Sequence, residues 1–273
     1  TNKLLIMKEL YSILCDSNRT VINDLINSLG HVEYYDATRI RCISFAKATD
    51  TVDGINVRLA NMAGGYPFSF GGVTWRDSET LYLCGEFSNA SSEHLAIQQE
   101  MYRQTSGFAA KRFIKTKYKS QIRQDFADFR VQWMMYVVWL KCKGNAEFAR
   151  LLSHIPSDAV IIENTTKQRC ATKEVWGCSN QELTTYRDMV EEKVKEQAQT
   201  SNPKVTKKAL ETIMVKERSK INSIGIFTGQ NNLGKILMIC RYCLVNGTEP
   251  PIDYDLLNAK NIHILGKRIS FTH

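Results

Sequence analysis

Residues 126–140 carry apolar side chains on almost every face of a helix. Phe126, Phe129, Trp133, Val137 and Leu140 make one stripe, and Met134, Met135, Tyr136, Val138 and Trp139 fill most of the rest. A helix that is apolar all round has to be buried all round. The longest strongly apolar run, residues 133–140, is far too short to span a bilayer. The burial must come from protein, and this helix is expected to be the central core element of the fold. An aromatic stripe at this spacing serves a core rather than a cofactor. At 273 residues the chain is long enough to supply the surrounding layers.

Helical spacing recurs at residues 3–14, 21–29 and 91–113, the last interrupted near Gly107. Residues 39–45 alternate and read as a strand, and residues 158–163 read as a buried strand. Asn145 is placed to cap a short helix ending at Leu152. Phe68, Phe70, Val73 and Trp75 around Gly71-Gly72 predict a hairpin, and residues 262–271 predict a second one. Residues 181–220 are helix-forming and highly charged, with nine basic residues against seven acidic ones and a Ser-Asn-Pro break at 201–203. They read as a helical hairpin inserted in a loop, an arm or lid. The expected fold class is mainly α (α+β): a single helical domain over residues 51–246 containing that insertion. A helix-and-strand extension covers residues 1–50, and a C-terminal extension residues 247–273.

The hairpin at 68–75 leads directly into the stretch with the clearest chemical content. Asp77 or Ser78 reads as an N-cap, which puts Glu79 in the first turn, where the helix dipole favours a carboxylate. Glu86 lies two turns further along the same face, roughly 10 Å away at about 1.5 Å per residue. A glutamate fixed at a helix start can act as a general base or stabilise positive charge on a sugar. On this stretch alone, a solvated first-turn glutamate is the simpler reading. Asn61 and Trp75 could line a pocket beside it; supporting a turn and a core edge is the commoner job for such residues.

The formal charge is +8, and almost all of that excess sits between residues 103 and 123. Arg103, Lys111, Arg112, Lys115, Lys117, Lys119 and Arg123 occur there with no acid among them. Tyr102, Phe108, Phe113 and Tyr118 are interleaved. Such a stretch suits phosphates and stacked bases, or equally a solvated helix face with its aromatics in the core.

Gly229, Asn231, Leu233, Gly234 and Lys235 form a Gly-rich turn opening a helix that ends near Val245. A turn of this kind offers backbone N–H groups to a phosphate, or is a plain helix entry. The spacing imitates a nucleotide-binding P-loop, but Ile236 stands where the Mg²⁺-binding Ser or Thr belongs, which argues against an NTPase. Eight cysteines are spread widely. With no signal peptide in view they read as reduced thiols in a cytoplasmic protein. Cys240 and Cys243 fall inside an apolar helix as small hydrophobes, and no metal or cofactor is expected.

Taken in order, these segments resemble the NADAR family, the NAD- and ADP-ribose-associated proteins that include the YbiA-type N-glycosidases. Leu59-Ala-Asn61-Met62-Ala63 resembles the family's Leu-Ser-Asn-Phe-Ala start. Phe68, then Thr74-Trp75-Arg76-Asp77-Ser78-Glu79, resembles its Pro-Phe…Gly-Lys-Thr-Trp-Pro-Ser-x-Glu-His segment. Ala109-Ala110-Lys111 resembles Ala-Ala-Arg, and Asp125-Phe126 with Arg130-Val131 and Met134 resembles Asp-Trp…Arg…Val-Met. Residues 159–163 resemble Leu-Val-Glu. Trp176-Gly177 and the turn from Gly229 to Met238 resemble Trp-Gly and Gly-x-Asn-x-Leu-Gly-x-x-Leu-Met. The resemblance covers residues 55–245 apart from the arm. Thr80 stands where the family has His, Glu86 where it has Lys, and Phe126 where it has Trp.

The resemblance implies a mostly helical domain that cleaves N-glycosidic bonds to ribose, including removal of ADP-ribose from guanine in DNA or RNA. It makes Glu79 the catalytic glutamate. It assigns Asn61, Trp75, Lys111, Lys115, Trp176, Gly177, Gly229, Asn231, Leu233 and Gly234 to ligand binding. Arg103, Arg112, Lys117, Lys119 and Arg123 are then expected to contact nucleic acid. Two alternatives stand beside it: an ADP-ribose-binding module that does not hydrolyse, and a YbiA-like N-glycosidase acting on a riboflavin-pathway intermediate.

Overall fold

A computed structural model describes residues 20–46, 51–52, 55–169, 172–201 and 204–272. Helices dominate, and every sheet among these residues has two strands, in line with the expected mainly α class. The helix expected at residues 3–14 lies outside the described residues, as do Cys15, Cys170, Gly54 and part of the 201–203 break. The chain forms two compact units. One holds the described residues up to Ala60 together with Ile155–Met238; the other holds Asn61–His154 with Ile239–His273.

The first unit is organised around two long-range strand pairs. Cys42–Phe45 runs parallel to Val160–Glu163, with Cys42 opposite Val160 and Phe45 opposite Glu163. All four residues of the first strand are buried, as are the first three of the second, so neither alternates between core and solvent. The strand expected over 39–45 therefore starts at Cys42, because Arg39 and Ile40 are held in a turn by the Asp36 carbonyl. Glu33–Asp36 pairs antiparallel with Ile226–Gly229. Hairpins were expected only at 68–75 and 262–271, and residues 39–45 and 158–163 as strands with no partner assigned. These two pairs are not hairpins, since their partners lie far apart in the chain.

The expected arm is present as Gln181–Thr200 and Lys207–Ser219, capped by Asn180 and Thr206. Arg218 Nη1 meets Glu191 Oε1 at 2.6 Å between the two helices. Arg187 anchors the base of the arm by donating to the Ile221 carbonyl at 3.1 Å and to Asn222 Oδ1 at 2.7 Å.

In the second unit the hairpin Phe68–Phe70 with Val73–Trp75 forms as expected. Gly71 and Gly72 turn it at φ 65° and 83°, the paired positive values that a two-residue hairpin turn favours. The apolar helix runs Phe126–Gly144, and Phe129, Trp133, Val137 and Val138 are fully buried. It packs on the helix Ser78–Glu86, and Trp133 fixes the contact. Its indole nitrogen donates to the Tyr82 carbonyl at 3.1 Å. A Cβ on Gly85 would stand 2.1 Å from that nitrogen. Alanine is normally favoured over glycine inside a helix by about 1 kcal/mol; here the indole takes the space.

The helical pattern of 91–113 resolves into three pieces: Ser92–Tyr102, a short turn Gly107–Ala109, and a π-helical segment Ala110–Lys115. Asn145 caps Ala146–Ser153 by accepting from the Phe148 amide at 3.0 Å. His263–Ile264 pairs with Lys267–Arg268 as the second expected hairpin. No helix among the described residues is long and apolar enough to cross a membrane.

Candidate active site

The hairpin delivers the chain to Asp77, whose side chain accepts from both the amide and the hydroxyl of Thr80 at 2.7 Å. That caps the helix and places Glu79 in its first turn. Glu79 is not a solvated surface residue: it is 5% exposed. Its carboxylate is ion-paired with Lys111 Nζ at 3.0 Å, and the Lys111 side chain is 41% exposed. Gly107 makes this approach possible, since a Cβ there would lie 2.8 Å from the Glu79 Cβ and 2.6 Å from Asp77 Oδ1.

A second acid–base pair repeats the arrangement two turns on. Glu86 is buried and bonded to Lys115, so the two glutamates of one helix meet the two lysines of the π segment in the same order. Glu86 Oε2 is buried and has no hydrogen-bond partner. Burial pushes the Glu86 carboxyl above its usual pKa, opposed by Lys115 and reinforced by the negative charge of Glu79.

Beneath Glu79 lies a polar chain. The Ser78 hydroxyl reaches Asn61 Oδ1 at 3.0 Å and accepts from Lys141 Nζ at 3.1 Å. The Asn61 carbonyl accepts the Glu79 amide at 3.2 Å. Asn61 thus supports the glutamate's backbone. Lys141 is fully buried, with its ammonium 3.9 Å from the centre of the Phe148 ring. Burial pulls its pKa down to about 8. Lys141 escaped the sequence reading, although it sits four residues after Val137 on the inward stripe of the core helix. An inward-facing lysine at core spacing was the available signal.

Trp75, expected to line a ligand pocket, is instead a core residue. It is completely buried, its indole nitrogen donates to the Phe70 carbonyl at 3.1 Å, and it packs edge-on against Tyr102. Arg123, expected to contact nucleic acid, is turned inward. It bonds Asp125 at 2.7 and 3.1 Å, Ser88 at 2.9 Å and the Lys260 carbonyl at 2.8 Å, over the Phe129 ring. The basic stretch lacks acids in sequence but finds them in space. Lys111, Lys115 and Lys117 face Glu79, Glu86 and Glu100. Arg103, Arg112 and Lys119 are exposed, and no described carboxylate pairs with them. Of the interleaved aromatics, Tyr102 and Tyr118 are tied to Thr74 and Glu100. Phe108 and Phe113 are exposed.

The remaining expected site residues belong to the first unit, where Trp176-Gly177 and the Gly-rich turn come together. A Cβ on Gly229 would lie 2.2 Å from the Gly177 carbonyl, and one on Gly234 2.1 Å from the Ile161 carbonyl. Asn231, at φ 50°, donates through its side chain to the Ile161 carbonyl at 2.9 Å. The amides of Gln230 and Asn231 are engaged by the carbonyls of Glu174 and Gly177. Gly229, Asn231, Leu233 and Gly234 are all buried. The turn is thus tightly closed on its own neighbours. Lys235, the residue that completes the P-loop imitation, is fully buried. It donates to the carbonyls of Ser28 at 2.6 Å and His31 at 3.1 Å and pairs with Glu33 at 3.2 Å.

No family model and no curated protein matches the chain. Among solved structures it is similar to the E. coli protein YbiA, determined by NMR, with a TM-score of 0.45 and 20% sequence identity over 77% of this chain and 92% of that one. That protein is of the kind the sequence motifs resemble. At this distance the match is a likeness only, and function has to be read from the side chains.

Proposed function

We propose that the protein hydrolyses an N-glycosidic bond to ribose, with Glu79 at the anomeric centre, and that its substrate is a nucleobase carrying ADP-ribose in nucleic acid. The observation that carries this reading is the buried Glu79 carboxylate at a helix start, neutralised by one half-exposed lysine. The Lys111 side chain is long and reaches solvent. On substrate binding it would exchange Glu79 for a phosphate of the ligand, leaving the carboxylate to face developing positive charge. As the bond from the anomeric carbon to the base nitrogen breaks, the electron pair leaves with the base. Water adds to the carbon; one of its protons is taken up by Glu79 and the base is protonated from solvent. The basic residues Arg103, Arg112, Lys117 and Lys119 would hold the polyanion.

The decisive test incubates an oligonucleotide bearing ADP-ribosylated guanine with wild type and Glu79→Gln, reading free ADP-ribose by mass spectrometry. Loss of release in the variant is expected. Unchanged turnover would remove Glu79 from the catalytic role.

The same ion pair favours a second reading, a binding module, because Lys111 occupies the carboxylate that would have to meet the substrate. Saturable ADP-ribose binding in calorimetry with no product from the modified oligonucleotide would select it.

A further inference from the structure

Phe108 and Phe113 are 54% and 57% exposed, an unusual state for two phenylalanines in one short segment. They flank a single guanidinium, with Arg112 Cζ 5.9 Å from the Phe108 ring centre and 5.5 Å from that of Phe113. Phe108 sits in the short turn Gly107–Ala109 and Phe113 in the segment that follows it. In an α-helix, residues five apart point about 140° away from each other at ~3.6 residues per turn. In a π-helix, the wider turn pairs i with i+5. The segment Ala110–Lys115 is π-helical, and the rings on either side of its start both lie beside the Arg112 guanidinium. π turns are rare and concentrate at functional sites.

The patch also has a defined place. Phe108 follows Gly107, whose Cα lies against Glu79, and Arg112 follows Lys111, which pairs with Glu79. In the same stretch of chain, Arg103, Lys117 and Lys119 are also exposed. Flat apolar faces interleaved with cations match a ligand that offers flat aromatic faces and negative charge in alternation. In a duplex the base faces are stacked on one another and out of reach; in a single strand they are available.

From this we infer that the Phe108–Arg112–Phe113 surface is a stacking platform for unpaired bases, and that the protein binds single-stranded nucleic acid in preference to duplex. This rests on the reading of the site as acting on a base carried in nucleic acid, and it adds the strandedness of the substrate and the residues that select it. Arg112 contributes a planar cation to the same stack, and Arg103 and Lys119 neutralise the flanking phosphates.

The test uses unmodified strands, so that it does not depend on hydrolysis. Binding of a fluorescein-labelled 12-nucleotide single strand and of the same strand annealed to its complement is followed by anisotropy at several salt concentrations. Wild type should bind the single strand more tightly than the duplex. Phe108→Ala/Phe113→Ala should weaken single-strand binding about ten- to a hundredfold. Duplex affinity and the salt slope should stay at wild-type values. Phe108→Trp/Phe113→Trp should retain binding, since stacking survives. Arg103→Gln/Lys119→Gln should lower the salt slope by about one to two. Because both phenyls are exposed, unchanged thermal melts are expected for all variants. Equal affinity for duplex and single strand in the wild type, or single-strand binding indifferent to the Phe→Ala pair, would overturn the inference. So would binding to anionic lipid vesicles with none to either oligonucleotide. An inactive hydrolase that passes this test leaves the platform standing; an active one that fails it does not.

Discussion

Lys111 Nζ lies 3.0 Å from the carboxylate of Glu79, the one ion pair recorded for that glutamate among the described residues. The pair is asymmetric: the acid is buried and the base half exposed. Removing the base leaves the buried acid without its cation, so both catalysis and stability should fall. Lys111→Gln is expected to lower kcat/KM for the modified oligonucleotide by roughly ten- to a hundredfold, the scale of one charge-assisted contact. Its unfolding free energy should fall by roughly 1–3 kcal/mol, because Glu79 stays buried without its counter-charge. A variant with wild-type kinetics would show that Lys111 does not take part.

Gly85 is the packing point that orients the glutamate helix. Its Cα faces the Trp133 indole, which leaves no room for a methyl group. Gly85→Ala gains helix propensity yet should be destabilised by roughly 1–3 kcal/mol or more, the cost of overpacking. Chemical denaturation would measure it. A stabilised variant would mean that the helices do not pack this closely.

Lys141 carries a charge that its surroundings disfavour. Its folded pKa of about 8 lies below the ordinary lysine value of 10.5. The folded state therefore binds fewer protons than the unfolded chain between these limits, and stability rises with pH across that window. Put the other way, stability present above about pH 10.5 is lost as pH falls through about 8. Lys141→Met removes the buried charge at similar volume. It should stabilise the protein at pH 7 by on the order of 1–3 kcal/mol, with the advantage over wild type shrinking between pH 8 and pH 10. Denaturant melts at pH 7 and pH 9.5 would measure this. An advantage that does not vary with pH would contradict it.

Arg123 separates structural from ligand-facing charge. Four hydrogen bonds and a ring contact hold it inside the second unit. Arg123→Met should cost about 2–4 kcal/mol of stability through the polar groups it abandons. The salt slope of oligonucleotide binding, measured well below the melting temperature, should not move. A slope reduced by about one would put Arg123 on a phosphate.

Local features were legible because they rest on local interactions. The Gly71-Gly72 turn needs two positive φ values, and only glycine supplies both cheaply. Asp77 and Asn145 each cap a helix by bonding an amide three residues ahead. The Trp133 helix announces its burial by having no polar face. The π segment was not legible, because 107–115 also satisfies an α-helical pattern; its extra residue per turn shows only in the backbone hydrogen bonds.

The amino-acid order by itself determined the helix caps, the two glycine-turned hairpins, the apolar core helix and the position of Glu79 in a first turn. Tertiary structure decided which charges are chemically available. Seven cations in a row look like one polyanion site, yet folding brings acids to Lys111, Lys115 and Lys117, turns Arg123 inward and leaves Phe108, Arg112 and Phe113 outside. The physical reason is range. A cap or a turn closes within a few residues, whereas an ion pair or the parallel match of Cys42 with Val160 depends on distant segments meeting, and local spacing carries no record of that.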